Sequence, residues 1–210
     1  MRGTDDRRTR DTKERIFSAA LDLFSQKGVD AVSIRDIARR VGISAAAFYN
    51  HFRSKNELLQ AVYDYYRTAL VGPAPERAPS IEPFPQGLDA AGVFARYVGR
   101  FASAMANPVL AKLGRIISME RHRNKVAAEI SFKDRQQLLG FMEELFAAME
   151  RQGLLRRGNG RILGRMFGYI QLGLADDNMY YRYVRGMTVD DIVDRQNQAM
   201  AEFLRELTGG

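Results

Sequence analysis

The sequence predicts an all-α protein of about nine or ten helices. Apolar residues recur at helical spacing along most of the chain, and no segment shows the alternation of a half-buried strand. Capping residues precede several of the apolar runs, which indicates where those helices begin. We expect a small N-terminal domain over residues 1–56 and a larger helical domain over residues 57–210.

The first ten residues are charged and poor in apolar side chains, so we expect a loose arm and no secretory signal. A first helix is predicted from residue 11 or 12 to Lys27, where Gly28 is suited to end it. Its buried stripe consists of Ile16, Ala20, Leu23 and Phe24.

The stretch from Ser33 to Lys55 contains two short helical patterns separated by a tight turn at Gly42. The second pattern begins at Ser44, and its inward-facing residues are Phe48 and Phe52. Helix, short glycine-containing turn and helix is the helix-turn-helix pattern. Three serines are suited to cap the helices here: Ser33 with Asp36, Ser44, and Ser54 with Glu57 in a capping box.

Beyond this stretch, a fourth helix is predicted from Ser54 to just before Gly72. A loop over residues 72–92 holds five of the six prolines. Further helices are expected from residue 89, from Pro108, and over 132–152, 161–183 and 188–207. Residues 156–161 form a basic turn between two of them.

Positive charge is concentrated in the N-terminal quarter of the chain. The net charge is +7, and residues 1–56 hold 12 Lys/Arg against 7 Asp/Glu, a difference of +5. The other 154 residues hold 20 against 18, a difference of +2. A basic segment that coincides with a helix-turn-helix pattern indicates DNA binding, whereas a basic segment alone is more often a solvated surface.

Composition also excludes several classes of protein. The chain has no cysteine, which removes disulfides, thiol catalysis and the common zinc motifs, and favours a cytoplasmic location. No apolar run approaches the length of a membrane span. We find no nucleophile–base constellation and no phosphate-binding glycine loop, so we expect neither an enzyme nor a cofactor or metal site.

Four motifs between residues 12 and 62 closely resemble the DNA-binding domain of TetR-family transcriptional regulators. They are A-A-x-x-L-F at 19–24, G-x-x-x-x-S-I-x-x-I-A at 28–38, V-G-I-S at 41–44 and F-Y-x-H-F-x-S-K-x-E-L-L at 48–59. The resemblance implies a homodimeric repressor whose recognition helices, residues 44–52, enter successive major grooves of a palindromic operator. It also implies a domain over residues 57–210 that dimerises and binds a small apolar or aromatic effector, which releases the DNA.

The resemblance places DNA contacts at Ser33, Arg35, Ser44, Ala45, Ala46, Ala47, Tyr49, Asn50, His51 and Lys55. Three alanines cannot hydrogen-bond base edges, although they can contact thymine methyl groups, so base readout is expected from Arg35, Asn50 and DNA shape. The backbone of the DNA would be gripped through Ser33, Tyr49, His51 and Lys55. The alternatives are solvation for Arg35, and a phosphate or water contact for Asn50.

An aromatic and methionine-rich set in the larger domain suits an effector pocket, with ordinary core packing as the alternative. Its members are Tyr66, Tyr97, Phe101, Met105, Phe141, Met142, Phe146, Met166, Phe167 and Ile170. The resemblance puts the dimer seam on the last two helices, and we assign Gly164 and Gly168 to that seam or to open space for a ligand. A regulator gated by a protein partner, or one without a small-molecule effector, is the alternative function.

Overall fold

The computed structural model describes the backbone of residues 2–71, 81, 83–105 and 107–208. Its described side chains are those of residues 9–69, 81, 83–99, 107–178, 180–188, 191, 196 and 198–206. These residues form nine helices and no strand, which confirms the all-α prediction. The helices are α1 (Arg2–Lys27), α2 (Ile34–Val41), α3 (Ala45–Tyr49), α4 (Lys55–Val71), α5 (Ala90–Met105), α6 (Pro108–Glu120), α7 (Lys125–Arg151), α8 (Gly160–Tyr183) and α9 (Val189–Thr208).

The first of two compact units comprises Met1–Pro73 and Pro108–Ser131. Its core joins α1 to α2, α4 and α6 through fully buried side chains that include Ile16, Phe24, Ile37, Phe48, Leu58 and Ile116. The helix-turn-helix therefore shares one core with helices that the sequence analysis assigned to the larger domain. A unit of residues 1–56 alone would lack α6 and most of α4, and the apolar side chains of α1 that share their core would be exposed.

The second unit comprises Ala74–Asn107 and Phe132–Gly210. Its core is aromatic: the ring centroids of Phe94, Phe146 and Phe167 lie 4.8 to 6.1 Å apart. From α9, Met200 and Leu204 are buried in the same cluster. Such edge-on and tilted ring pairs are a favourable packing arrangement, so these side chains act as structural core.

Glycines bring α8 close to α7 within the second unit. A Cβ built on Gly164 would lie 2.8 Å from the carbonyl carbon of Met142, and one built on Gly168 would lie 2.8 Å from a methyl carbon of Leu139. The assignment of these two glycines to the dimer seam or to ligand space is therefore wrong. Close helix approach does explain them, but the neighbouring helix is α7 of the same chain.

Three helix boundaries differ from the sequence prediction. The backbone is helical from Arg2, where a loose arm was expected, because extending an existing helix avoids the cost of nucleation and no proline interrupts it. Helix α7 begins at Lys125 rather than 132, since the Asn124 side chain accepts the N–H groups of Val126 and Ala127. Helix α3 ends at Tyr49, whereas the predicted recognition helix extends to residue 52.

Candidate nucleic-acid interface

Helix α2 begins in a complete capping box. The Asp36 N–H donates to Ser33 Oγ at 3.2 Å, and the Ser33 N–H donates to Asp36 Oδ2 at 3.0 Å. The Ser33 hydroxyl and N–H, together with the nearby Arg39 guanidinium, hold the pKa of Asp36 below its usual 3.8. This network fixes the first turn of α2, where Arg35 lies.

The turn between α2 and α3 depends on a left-handed glycine. Gly42 has φ of +78°, and its N–H donates to the Ala38 carbonyl at 2.9 Å. No atom of the described residues lies within 4 Å of where its Cβ would be, so backbone conformation rather than space requires glycine here. Arg15 of α1 donates to the Val41 carbonyl at 2.5 Å and thereby ties α1 to the end of α2.

Helix α3 is short, is capped at its N-terminus and is anchored to the core by its inner face. The Ala47 N–H donates to Ser44 Oγ at 3.0 Å, as the sequence predicts for an N-cap. Phe48 is fully buried, and its ring centroid lies 5.9 Å from that of Phe52. Because Phe48 anchors the inner face, the opposite face of the helix is available to a partner.

That opposite face presents several of the residues predicted to contact DNA. Ala46 and Asn50 are exposed, and Tyr49 is 54% exposed. Ala45 and Ala47 are half-buried beside them. The face is therefore uncharged, and its alanines are small enough to allow close approach to a groove.

Arg35 is the exposed cation on α2 best suited to reach a ligand. Its neighbours Arg39 and Arg40 contact Asp36 and Asp22 respectively, whereas Arg35 forms no ion pair with any described residue. Arg53 is likewise exposed and makes no ion pair within the described part of the chain. Sequence reasoning passed over Arg53, although its position two residues after His51 could have indicated it.

His51 and Lys55 are both half-buried, and Lys55 has a structural partner that the sequence did not reveal. The Lys55 ammonium donates to the backbone carbonyls of Val29 and Val32, each at 2.9 Å. Most of its hydrogen-bonding capacity is thus used inside the protein. The capping box at the start of α4 also differs from the prediction, because Glu57 accepts the N–H of Arg53 at 2.5 Å instead of that of Ser54.

The described members of the predicted effector set belong to different parts of the two units. Tyr66 lies in the core of the first unit, and the side chains of Phe101 and Met105 fall outside the described residues. Five members lie in the core of the second unit, where they are buried or half-buried: Tyr97, Phe141, Met142, Phe146 and Phe167. The other two members, Met166 and Ile170, are exposed on α8.

Two concave sites occur in the described part of the second unit. One, of about 270 Å³, lies between α8 and α9, and Ile170 lines it beside Leu174, Tyr181 and Met200. The other, of about 730 Å³, is an open groove at the turn from α7 to α8. Arg157 and Arg161 line that groove, but the Glu150 carboxylate already accepts the backbone N–H groups of Gly158 and Gly160 there.

No helix in the described ranges is long and apolar enough to cross a membrane. Nor do any three His, Asp or Glu side chains of those ranges lie together as metal ligands would.

The N-terminal segment matches known regulators in sequence. The model of the tetR family of bacterial regulatory proteins matches residues 16–62. An uncharacterized HTH-type transcriptional regulator of Bacillus subtilis strain 168, YerO, is 48% identical over 54 residues, which is 26% of this chain and 19% of YerO. AcrR of Shigella flexneri is 37% identical over 54 residues, which is 26% of this chain and 25% of AcrR. The similarity thus spans about a fifth to a quarter of these relatives.

Solved structures share the fold along nearly the whole chain. A TetR-like transcriptional regulator from Rhodococcus sp. RHA1 has a TM-score of 0.61 at 19% identity, covering 95% of this chain and 97% of that one. AibR, in complex with isovaleryl coenzyme A and operator DNA, has a TM-score of 0.59 at 18% identity, covering 94% and 98%. Residues 16–62 are therefore similar to the DNA-binding segment of TetR-family regulators, and the solved structures share the fold of the chain.

Proposed function

We propose that this protein is a transcriptional repressor that binds a palindromic operator as a homodimer and is released from it by a small-molecule effector. The observation that carries the proposal is the geometry of helix α3, whose outer face we call the reading head. Helix α3 is capped by Ser44 and anchored by Phe48, so its outer face is presented without further ordering. Its site of action would be the cytoplasm, where bacterial DNA lies.

Charge supports DNA as the partner. The +5 excess of residues 1–56 lies on the segment that holds the reading head, and Arg35 and Arg53 are exposed there. Lysine and arginine that neutralise phosphates release counterions, so affinity should fall steeply as salt rises. Specificity would come from Arg35, Asn50 and DNA shape, since the alanines of α3 offer only methyl contacts.

The outward face of α8 supports a homodimer. Ile162, Met166, Tyr169 and Tyr180 are each more than half exposed. Their separations from Ile162 are 4, 7 and 18 residues, close to whole numbers of turns at 3.6 residues per turn, so they form one stripe. An exposed apolar stripe of this kind suits an interface, and a second copy can cover it symmetrically.

The effector is proposed to bind the second unit. AibR, which shares the fold, was solved with both isovaleryl coenzyme A and operator DNA. The cavity between α8 and α9 is mainly apolar and includes Ile170, which suits a small apolar or aromatic molecule. To release DNA, the effector must bind more tightly to a conformation that does not bind the operator.

One observation favours the alternative, a regulator without such an effector or one gated by a partner protein. Two of the predicted pocket residues, Phe146 and Phe167, pack against each other and against Phe94 as core. Unfolding midpoints measured with a panel of small aromatic and aliphatic acids separate the two. A saturable increase in the midpoint, together with release of bound DNA, supports the effector, and no increase across the panel supports the alternative.

Selection of bound duplexes from a random-sequence pool tests the operator proposal. The dimer should enrich an inverted repeat whose half-sites are centred one or more helical turns apart, about 34–36 Å per turn. Enrichment of no common sequence, or of an unpaired half-site alone, would contradict it.

A further inference from the structure

We infer that Lys55 is a positioning residue for DNA binding rather than a phosphate ligand, and that Arg123 assists it. Together they hold the loop between α1 and α2, residues 28–33, and so set how α2 and α3 meet DNA. The inference rests on the proposed DNA-binding function and deepens it.

The loop needs such support because its backbone is partly withdrawn from water. Val29 and Val32 are almost fully buried, and a buried carbonyl without a partner is costly. The Lys55 ammonium, 2.9 Å from each of these two carbonyls, satisfies both. Since Lys55 is the first residue of α4, these bonds connect the loop directly to that helix.

Arg123 holds the same loop from the turn after α6. Its guanidinium donates to Asp30 at 2.9 Å and forms a fork on Glu120, with contacts of 2.6 and 3.2 Å. Glu120 is only 4% exposed, so its two contacts fix the orientation of the Arg123 guanidinium that also binds Asp30.

The two supports differ in strength. Hydrogen bonds from a charged donor to half-buried carbonyls are among the stronger ones in proteins, whereas exposed ion pairs contribute little. The side chain of Asp30 is 76% exposed, so we rank Lys55 first and the Arg123–Asp30 pair second.

The position of the loop matters because it ends at Ser33, the N-cap of α2. A displacement of the loop moves the first turn of α2, which carries Arg35. It also changes the angle at which α3 is presented. Loss of either support should therefore weaken specific binding while the number of phosphate contacts stays the same.

The salt dependence of binding distinguishes positioning from phosphate contact. The probes are a duplex carrying the inverted repeat recovered by selection and an unrelated duplex of equal length. For Lys55→Met we expect about tenfold to hundredfold weaker binding to the repeat, with the wild-type slope of log K against log salt. A slope smaller in magnitude by about 0.9 per subunit, or about 1.8 for the dimer, with both duplexes weakened alike, would show a phosphate contact and overturn the inference. Lys125→Met, at a lysine whose side chain is 90% exposed in the same unit, should change neither quantity.

Asp30→Asn gives a second test that does not depend on the folding of the Lys55 variant. Removing a carboxylate makes the unit more positive, so electrostatics alone predicts tighter binding to any DNA. Positioning predicts the opposite, about twofold to fivefold weaker binding to the repeat at unchanged slope. Equal or tighter binding would overturn the role of the Arg123–Asp30 pair. If the wild-type protein does not prefer the repeat to the unrelated duplex, the proposed function itself has failed.

Discussion

Gly164 packs against the backbone of Met142 so closely that a Cβ on the glycine would lie 2.8 Å from the methionine carbonyl carbon. The nearest atoms belong to the α7 backbone, which cannot move aside as a flexible side chain can. The helix pair α7–α8 therefore depends on glycine at this position, even though glycine is a poor helix former.

Gly164→Ala should lower the free energy of unfolding by roughly 1–3 kcal/mol or more, because the added methyl forces the helices apart. Gly140→Ala is the matched control, since Gly140 is an exposed α7 residue and, among the residues that the structure describes, none has an atom within 4 Å of the Cβ position. It should stabilise the protein by about 0.5–1 kcal/mol through helix propensity. Urea denaturation of both variants measures this, and destabilisation of equal size in both would refute the packing account.

Phe48 and Tyr49 are neighbours with opposite roles. Phe48→Ala should destabilise the protein by about 3–5 kcal/mol, since its ring is fully buried. Tyr49→Ala should change stability by less than about 0.5 kcal/mol, because that ring is largely exposed, yet it should weaken operator binding. Thermal unfolding and a gel-shift titration separate these effects. A large loss of stability in the Tyr49 variant would contradict the division of roles.

Asp36 should make the free energy of unfolding depend on pH in the acidic range. Its pKa is lowered in the folded state, chiefly by the Ser33 hydroxyl, so its contribution is complete above the usual value of 3.8. This contribution to stability begins to be lost as the pH falls below 3.8, and it is gone once the pH is below the folded-state pKa of Asp36. Asp36→Asn should therefore be less stable than wild type at pH 6, with the difference shrinking below pH 3.8. A difference that stays constant down to pH 2 would contradict the capping-box assignment.

Tyr63 should make the free energy of unfolding depend on pH in the alkaline range. The side chain is fully buried, and its hydroxyl has no hydrogen-bond partner in the described part of the chain. Burial, with a smaller effect from Glu120, raises the pKa of Tyr63 from 10 to about 12. The stability that depends on its neutral form is present below pH 10 and is lost between pH 10 and 12.

Tyr63→Phe removes both the unpaired hydroxyl and this titration. At pH 7 the variant should match or exceed wild-type stability, because an unsatisfied buried hydroxyl costs about 1–3 kcal/mol. Its advantage should widen as pH rises from 10 to 12 in urea denaturation. Marked destabilisation at pH 7 would show that the hydroxyl has a partner after all.

Local signals in the sequence were sufficient to predict the helix-turn-helix. The N-caps at Ser33 and Ser44 and the glycine at 42 act over three or four residues, and the structure has each of them as predicted. The helices found in the described residues follow equally from local periodicity. These features can be read from sequence because the interacting groups are neighbours along the chain.

Contacts between distant residues were not visible in the sequence. Lys55 meets Val29 and Val32 more than 20 residues away, so its commitment to backbone carbonyls has no local signature. We therefore expect Lys55→Ala to lower stability, although only a phosphate contact was predicted for this lysine from the sequence. The glycine spacing in α8 indicated close helix approach, but it could not show that α7 was the neighbour. Likewise, aromatic composition did not distinguish a pocket from a packed core.

The most direct test of the account is DNase I footprinting of the DNA that flanks the protein's own gene, at physiological salt. We predict a protected inverted repeat, and we predict that Arg35→Ala loses that protection while its unfolding curve stays close to wild type, because Arg35 is exposed. Absence of any protected repeat for the wild-type protein would contradict the central claim that the helix-turn-helix face reads an operator.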